Sequence, residues 1–183
     1  MMQEKKISIQ DICSIGIMTA VTAVMAQISI PMPLGVPMTM QTFAVTLAGV
    51  ILGAKRGAIS MAVYVLLGAV GVPVLANFSG GFQHLIGPTG GFLLSFPIMA
   101  YLIGMGTEFR KRKGMFLLFL ILGTVVNYVV GVVMFCLLMQ SSLWTGISAC
   151  VLPFLPTAVI KAAAASVLGL QVRERLGATL QWT

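Results

Sequence analysis

Long apolar segments separated by short polar connections dominate this sequence. A helix needs about 20 apolar residues to cross the roughly 30 Å hydrocarbon core of a bilayer. Hydrophobic residues make up 58% of the 183 positions and charged residues 8%, whereas a soluble domain is about 25% charged. The sequence therefore predicts an all-α integral membrane protein, a six-transmembrane-helix bundle that forms one domain over 1–183. The predicted helices cover 12–30, 40–54, 58–72, 92–107, 115–139 and 150–171.

The second and third predicted helices are the shortest. Thr39, Gln41 and Thr42 extend the second one into the membrane interface. The run Lys55-Arg56-Gly57 then predicts a tight loop before the third helix. A single broken pair of helices is the alternative, and the two adjacent charges favour the loop.

The charged residues partition between alternate connections. Lys and Arg precede the first segment, separate the second from the third and the fourth from the fifth, and follow the sixth. The other connections, 31–39, 73–91 and 140–149, hold no Lys, Arg, Asp or Glu. Because cytoplasmic loops collect Lys and Arg, the sequence predicts a multi-pass protein of the cell membrane with both termini cytoplasmic. The net charge of +7 is attributed to this rule.

Lys161 is the exception, since it lies inside the sixth predicted helix. It stands ten residues before Gln171, or about 15 Å from the cytoplasmic boundary at 1.5 Å per residue. A charge inside the membrane costs about 2.5–3.5 kcal/mol or more and is usually functional. We therefore expect Lys161 to offer its charge to an anionic ligand. The alternative is a lysine that snorkels to the outer interface.

The outer connection 73–91 is long, glycine-rich and uncharged. It carries Asn77, Ser79, Gln83, His84 and Thr89 between its glycines and prolines. A loop of this length is usually functional or disordered, and its apolar residues argue against disorder. The sequence predicts a re-entrant-like capping loop that packs back into the bundle between the third and fourth helices.

Enzymatic chemistry is not expected. Ser79 and His84 lack an acidic residue on the same side and a nucleophile elbow. A zinc centre needs three or four ligands, and His84 is the only histidine. The stretch 53–57 lacks the spacing and ending of a phosphate-binding loop. Neither a metal nor a cofactor is therefore predicted, and Cys13, Cys136 and Cys150 are interpreted as structural.

Small residues recur at four-residue spacing on the first three helices. Gly16, Ala20 and Ala23 are examples on the first. Such faces let helices approach each other closely in a membrane. Both internal packing and a surface docked by another membrane subunit remain open.

Five short motifs resemble the BioY family, the biotin-binding S components of energy-coupling factor transporters. The Gly-Pro-Thr-Gly-Gly run at 87–91 is the most specific, and the resemblance extends over about 12–170. A sixth-helix stretch, Pro153 through Lys161, also fits. The motifs read Gln-Ile-Ser-Ile-Pro at 27–31, Gln-Thr-Phe-Ala-Val at 41–45, Leu-Gly-Ala-Val-Gly-Val-Pro-Val at 67–74, Gly-Gly at 80–81 and Gly-Pro-Thr-Gly-Gly at 87–91.

The resemblance implies a vitamin-capture subunit that binds biotin and is energised by a transmembrane coupling (T) subunit and ABC-type ATPase subunits. Lys161 matches the family's lysine, and Asn77 matches its ligand-contacting asparagine. The sequence departs from the family at Thr157 and Ala158, where family members often read Gly-Asp. The lysine thus carries over without its acidic partner. The small-residue face at Gly16, Ala20 and Ala23 is the expected coupling surface.

Biotin's chemistry assigns expected roles to the remaining residues. Its carboxylate needs a cation, for which Lys161 is the candidate, although the sequence leaves open which end of biotin meets this lysine. Its ureido head, with two N–H donors and one acceptor, needs amide, hydroxyl and backbone partners, for which Asn77, Thr89, Gly90 and Gln41 are candidates. Its apolar ring needs aromatic walls, for which the candidates are Phe78, Phe82, Phe92 and Tyr64.

A self-sufficient secondary transporter of biotin or another small anion is the alternative function. A proton-coupled carrier usually needs an acidic residue inside the membrane. The predicted spans contain none, because all four acidic residues, Glu4, Asp11, Glu108 and Glu174, fall at the cytoplasmic border.

Overall fold

The computed structural model describes residues 8–32, 36–110, 112 and 114–180, the last four of these by their helical backbone. This part of the chain forms an all-helical membrane protein. Four of its helices, α1, α4, α5 and α7, are long and apolar enough to cross a membrane. The seven helices are α1 (Ile9–Gln27), α2 (Gln41–Leu52), α3 (Ala54–Ala69), α4 (Gly90–Glu108), α5 (Met115–Met139), α6 (Leu143–Cys150) and α7 (Leu155–Leu180).

Helix α4 lies at the centre of the bundle and is the most buried of the four long helices. It packs against α2, α3 and α5. Glycines allow the closest approaches: a Cβ at Gly91 would collide with the backbone of Val130 on α5, and one at Gly104 would collide with the backbone of Ala54. Small residues in α4 therefore serve internal packing, as expected of membrane helix pairs.

The break between α2 and α3 is tighter than predicted. A single residue, Gly53, separates the two helices, and Lys55 and Arg56 lie in the first turn of α3. The prediction of a loop at Lys55-Arg56-Gly57 was therefore wrong. Gly53 has φ +79°, a left-handed conformation that glycine adopts without a steric penalty, so the chain turns without a longer connection.

Charged side chains satisfy the backbone groups that this break leaves free. The Ala54 N–H donates to Glu108 Oε1 at 3.1 Å, and Arg173 Nη1 donates to the carbonyl oxygens of Val50 at 3.0 Å and Ile51 at 3.3 Å. Helix ends carry unpaired N–H and C=O groups, which are costly inside a membrane. The charges of α4 and α7 thus stabilise a discontinuous helix pair.

Two ion pairs join further helices at the same end of the bundle. Arg56 of α3 contacts Asp11 of α1 at 2.8 Å, and Arg110 contacts Glu174 of α7 at 2.8 Å. All three acidic residues in the described part of the chain lie at this end, as the charge pattern predicted. Glu4, Lys5, Lys6, Lys111 and Lys113 belong to the same predicted cluster but lie outside the described residues.

The first helix ends earlier than predicted. Helix α1 stops at Gln27, and Ser29–Ile30 form a short antiparallel ribbon with Met38–Thr39. Ser29 pairs with Thr39, and the Met40 N–H donates to the Ile28 carbonyl at 3.0 Å. Apolar composition extended the predicted helix to residue 30. The chain instead leaves the helix to meet the strand that precedes α2.

The predicted sixth helix, 150–171, begins and ends later in the structure, and the predicted connection before it contains a further helix. Leu143–Cys150 form the short helix α6, and turns at 151–154 separate it from α7. Ser142 caps α6, since its hydroxyl accepts from the Thr145 N–H at 3.2 Å. The chain bends before Pro156, because the residue that precedes a proline is disfavoured in the middle of a helix. Lys161 is therefore about 9 Å from the start of α7, much closer to that end than predicted.

The loop between α3 and α4 packs back onto the bundle. It contains two 3₁₀ turns, Ala76–Phe78 and Phe82–His84. Leu75 and Leu85 are buried in the main hydrophobic core, whereas the side chains of Phe78 and Phe82 are exposed. Two buried leucines therefore anchor this loop, and its aromatic side chains do not.

Candidate functional site

A cavity of about 370 Å³ opens at the end of the bundle opposite the charge cluster. Its walls come from the segment between α1 and α2, the start of α2, the loop before α4, and parts of α4, α5, α6 and α7. Small-molecule sites are typically about 300–1,000 Å³ and mostly apolar with a few polar groups. This cavity has the size and composition of such a site.

Lys161 reaches into this cavity from α7. It is half-buried, and its Nζ donates to the carbonyl oxygen of Thr39 at 2.8 Å. The Thr39 backbone belongs to the ribbon, so this bond joins α7 to the segment before α2. An ammonium group has three donors, and one of them is used here. The side chain therefore turns inward and keeps donors for a ligand.

A chain of hydrogen bonds continues from Thr39 into the protein. The Thr39 hydroxyl donates to Gln41 Oε1 at 2.8 Å, and Gln41 Nε2 donates to the Tyr64 hydroxyl at 2.7 Å. That hydroxyl donates to the carbonyl of Val74 at 3.0 Å. Gln41 lines the cavity, but these hydrogen bonds already use both the oxygen and the nitrogen of its amide. Tyr64 is fully buried behind the wall, so its expected place as an aromatic wall was wrong.

Asn77 lines the cavity from the loop before α4. It has φ 57° and Phe78 has φ 54°, so two consecutive residues are left-handed. Asparagine tolerates this conformation, whereas a bulky residue is strained in it. Gln27 at the end of α1 holds this turn: its Oε1 accepts from the Phe78 N–H at 2.7 Å, and its Nε2 donates to the Leu75 carbonyl at 3.1 Å.

Thr89 and Gly90 stand where this loop enters α4. Thr89 is the residue before the helix and lines the cavity. Gly90 is buried and is not a lining residue. A Cβ at Gly90 would collide with the carbonyl of Leu85. Gly90 thus lets the loop pack closely on α4 and does not face the ligand space.

Among the described residues, four aromatic side chains line the cavity, and only Phe92 was predicted. Its ring meets that of Tyr128 edge to face, with centroids 6.3 Å apart and planes at 87°. Phe78 and Phe82, both predicted walls, are 72% and 62% exposed and are not lining residues. The aromatic residues that line the cavity are Phe92, Phe96, Tyr128 and Phe154.

Several polar lining residues were absent from the predicted ligand set. Asn127 and Tyr128 enter from α5, and His84 enters from the loop. Asn127 could have been found, because it is the only Asn in the apolar 25-residue segment of α5. A polar residue within such a helix usually has a functional or packing role. His84 was considered only as a catalytic or metal-binding residue.

The cavity is positively charged. Lys161 lines it, and no acidic residue from the described part of the chain does so. The Cys150 thiol forms part of an otherwise apolar wall, and burial, with a smaller effect of Cys136, raises its pKa to about 11. The thiol is therefore uncharged at neutral pH. This charge distribution suits a small, largely apolar anion with hydrogen-bonding groups.

The predicted coupling face lies on α1, away from the cavity. Gly16 and Ala20 are exposed, and a Cβ at Gly16 would meet no atom within 4 Å. Ala23 is half-buried and packs against the core. The neighbouring Thr19 is buried and contacts Ser60 of α3 at 3.1 Å. Within the part of the chain that the structure describes, Gly16 and Ala20 therefore serve no close packing, whereas Thr19 does.

Comparison with known proteins gives consistent matches along nearly the whole chain. The BioY family model matches residues 2–178. A biotin transporter BioY of Thermotoga maritima is 39% identical over 87% of this chain and 93% of its own length. A probable biotin transporter BioY of Pyrococcus horikoshii is 37% identical with the same coverage.

A solved structure has the same fold. It is described as the crystal structure of the S-component for biotin from an ECF-type ABC transporter. It superimposes on this chain with a TM-score of 0.81 at 27% identity, over 95% of each chain. The family model and the curated relatives agree with this likeness, and the chain therefore belongs to the BioY family.

Proposed function

We propose that this chain is the biotin-binding S component of an ECF-type ABC transporter. The observation that carries the proposal is the cavity of about 370 Å³ into which Lys161 extends from α7. Its mixture of aromatic walls, amides and basic groups matches a ligand with a carboxylate, an apolar ring and a ureido head. Relatives named as biotin transporters and an S-component for biotin support this assignment.

Each end of biotin has suitable partners at the cavity wall. Lys161 supplies charge-assisted donors, which form the stronger hydrogen bonds. Asn77 and Thr89 supply neutral polar groups, and Gln41 holds Thr39 in place for Lys161. Phe92, Phe96 and Phe154 enclose the apolar ring. The protein binds its ligand without changing it, and no enzymatic step is assigned to the cavity.

Transport requires partners, and the exposed face of α1 is suited to one of them. We assign docking of the transmembrane coupling subunit to Gly16 and Ala20, with Ala23 at the edge of this face. Small residues let a second helix approach closely, and Gly16 has open space beside it. ABC-type ATPase subunits would energise the assembly, since the matched structure is a component of an ECF-type ABC transporter.

The proposed topology has six crossings, made by α1, α2, α3, α4, α5 and α7. Helices α2 and α3 are short, with 12 and 16 residues, and their facing ends are capped by Glu108 and Arg173. The charge cluster and both termini lie on the cytoplasmic side according to the positive-inside rule. The cavity then opens outward, where a capture subunit meets its ligand.

Equilibrium dialysis of purified protein against labelled biotin tests this function directly. We expect one biotin per chain, displaced by unlabelled biotin and not by a fatty acid of similar length. Reconstitution in vesicles should give uptake only with the coupling and ATPase subunits and ATP. Absence of biotin binding would overturn the ligand assignment, and uptake by the chain alone would favour a secondary transporter.

A further inference from the structure

Asn127 is the most buried polar residue on the cavity wall that the predicted ligand set did not include. Its side chain is 2% exposed, within an otherwise apolar helix. Burying an amide without hydrogen bonds is costly. The groups that Asn127 contacts, and the atom it leaves without a partner, therefore indicate what the residue does.

Both hydrogen bonds of Asn127 use its amide nitrogen. Nδ2 donates to Ser95 Oγ at 2.8 Å and to the carbonyl oxygen of Phe92 at 3.1 Å, both on α4. The Ser95 hydroxyl donates its own proton to that Phe92 carbonyl at 3.0 Å, so Ser95 accepts from Asn127. A flipped amide would place Oδ1 against the Phe92 carbonyl, oxygen to oxygen. Helix α4 therefore fixes the direction of the amide.

The carbonyl oxygen of Asn127 is left for a ligand. Within the described residues, Oδ1 accepts no hydrogen bond. Asn127 lines the main cavity and also a small adjoining one of about 10 Å³. The residues shared by the two cavities are Thr42, Asn127, Tyr128 and Lys161. An oriented acceptor thus stands in the same part of the wall as the ammonium group.

We propose that Asn127 reads the ureido group of biotin by accepting one of its N–H donors through Oδ1. This inference rests on the proposed function and adds a specificity-determining residue to it. A ureido N–H needs an acceptor, and no carboxylate from the described chain lines the cavity. Lysine supplies donors only. We therefore place the ureido head at the α5 and α7 wall, where Lys161 meets its carbonyl oxygen, and the carboxylate away from this lysine.

The test compares Asn127→Leu with the parent protein on four ligands. These are biotin, its methyl ester, and the two cyclic carbamates in which one or the other ureido N–H is replaced by oxygen. We expect Asn127→Leu to bind biotin and the ester about 5- to 100-fold more weakly. The parent should bind one of the two carbamates weakly, because that carbamate lacks the N–H that Asn127 accepts. Asn127→Leu should bind this carbamate no more than about twofold more weakly than the parent does. The parent should bind the methyl ester almost as tightly as biotin, because the carboxylate does not meet Lys161.

Folding and general polarity are controlled separately. Leucine has a similar volume, and Ser95 keeps its bond to Phe92 when Asn127 is replaced, so the partners stay satisfied. Thr124→Val changes a polar residue of α5 that lines only the small cavity, and its biotin affinity should stay within about twofold of the parent. Thermal unfolding without biotin reports whether each variant is folded.

The outcomes separate this inference from the proposed function. Biotin binding by the parent with unchanged binding by Asn127→Leu would overturn the role of Asn127 alone. An equal loss for biotin and both carbamates would show a structural effect and would also overturn it. If Asn127→Leu does not fold, the parent decides: equal affinity of the parent for biotin and both carbamates refutes the inference.

Discussion

Gln27 at the end of α1 accepts a hydrogen bond at 2.7 Å from the backbone N–H of Phe78 in the loop that lines the cavity. The same side chain donates to the carbonyl of Ala23 at 2.9 Å, within the proposed docking helix. Gln27 therefore connects the helix assigned to the coupling subunit with the turn that presents Asn77.

Gln27→Leu should weaken biotin binding through the loop. It removes the bonds to Phe78 and Leu75 that hold a turn with two left-handed residues. We expect a loss of about 2- to 13-fold in affinity, with faster dissociation, from the typical value of a neutral hydrogen bond. Stopped-flow measurement of release is the readout. Gln83→Leu is the matched control, since Gln83 bonds only within the loop, to Gly80 at 3.0 Å, and should have no effect.

Lys161→Met should weaken biotin binding about 10- to 100-fold. Methionine keeps most of the length and apolar volume of the lysine but removes charged donors worth about 1.5–3 kcal/mol each. Equilibrium dialysis gives the affinity, and thermal unfolding without biotin gives the stability. Lys161→Ala should lose at least as much. Parent-like binding by Lys161→Met would mean that the ammonium group contacts only Thr39.

Asn77 should contribute less than Lys161. Loss of a neutral hydrogen bond predicts a weakening of about 2- to 13-fold. Asn77→Gly is the variant of choice, because glycine keeps the left-handed backbone at φ 57° and removes only the amide. Asn77→Ala should be weaker still, since alanine is strained there. If Asn77→Gly and the parent have equal affinities by dialysis, the amide does not touch biotin.

Ala20→Leu and Gly16→Leu should impair transport and leave biotin binding intact. Both positions are exposed, and a bulky side chain would hold a partner helix away. The control is Ala163→Leu, at an exposed position on α7. Uptake by the reconstituted transporter and dialysis of the isolated chain are compared. Ala23→Leu is less informative, because Ala23 packs against the core. Normal uptake by both α1 variants would assign this face to lipid.

Cysteine labelling in sealed cells should follow the charge partition. With Cys13 replaced by serine, an impermeant reagent should reach a cysteine at Ser148 on α6 and miss one at Arg112 between α4 and α5. The positive-inside rule sets this expectation. Labelling of the Arg112→Cys variant in intact cells, with Ser148→Cys unlabelled, would invert the proposed topology.

The amino-acid sequence was enough to predict the class of the protein, the clustering of its charges and the residues that mark the family. These features follow from the composition and from the spacing of residues along the chain, and they do not depend on how the helices pack. The sequence also indicated Lys161 as a functional residue, because a single charge within an apolar membrane segment is energetically costly. Helix α5 was predicted with its correct bounds, since no charged residue or proline interrupts the segment between Gly114 and Gln140.

Which side chains share the cavity depends on contacts between residues that are far apart in the sequence. Tyr64 and Phe92 are both aromatic residues of membrane helices, but Gln41 binds Tyr64 behind the wall while Phe92 faces Tyr128 in it. Asn127 acquires its direction from Ser95 and Phe92, which are over 30 residues away. Long-range hydrogen bonds and helix packing set these positions. The residues that they join are not neighbours in the sequence, so local patterns do not predict them.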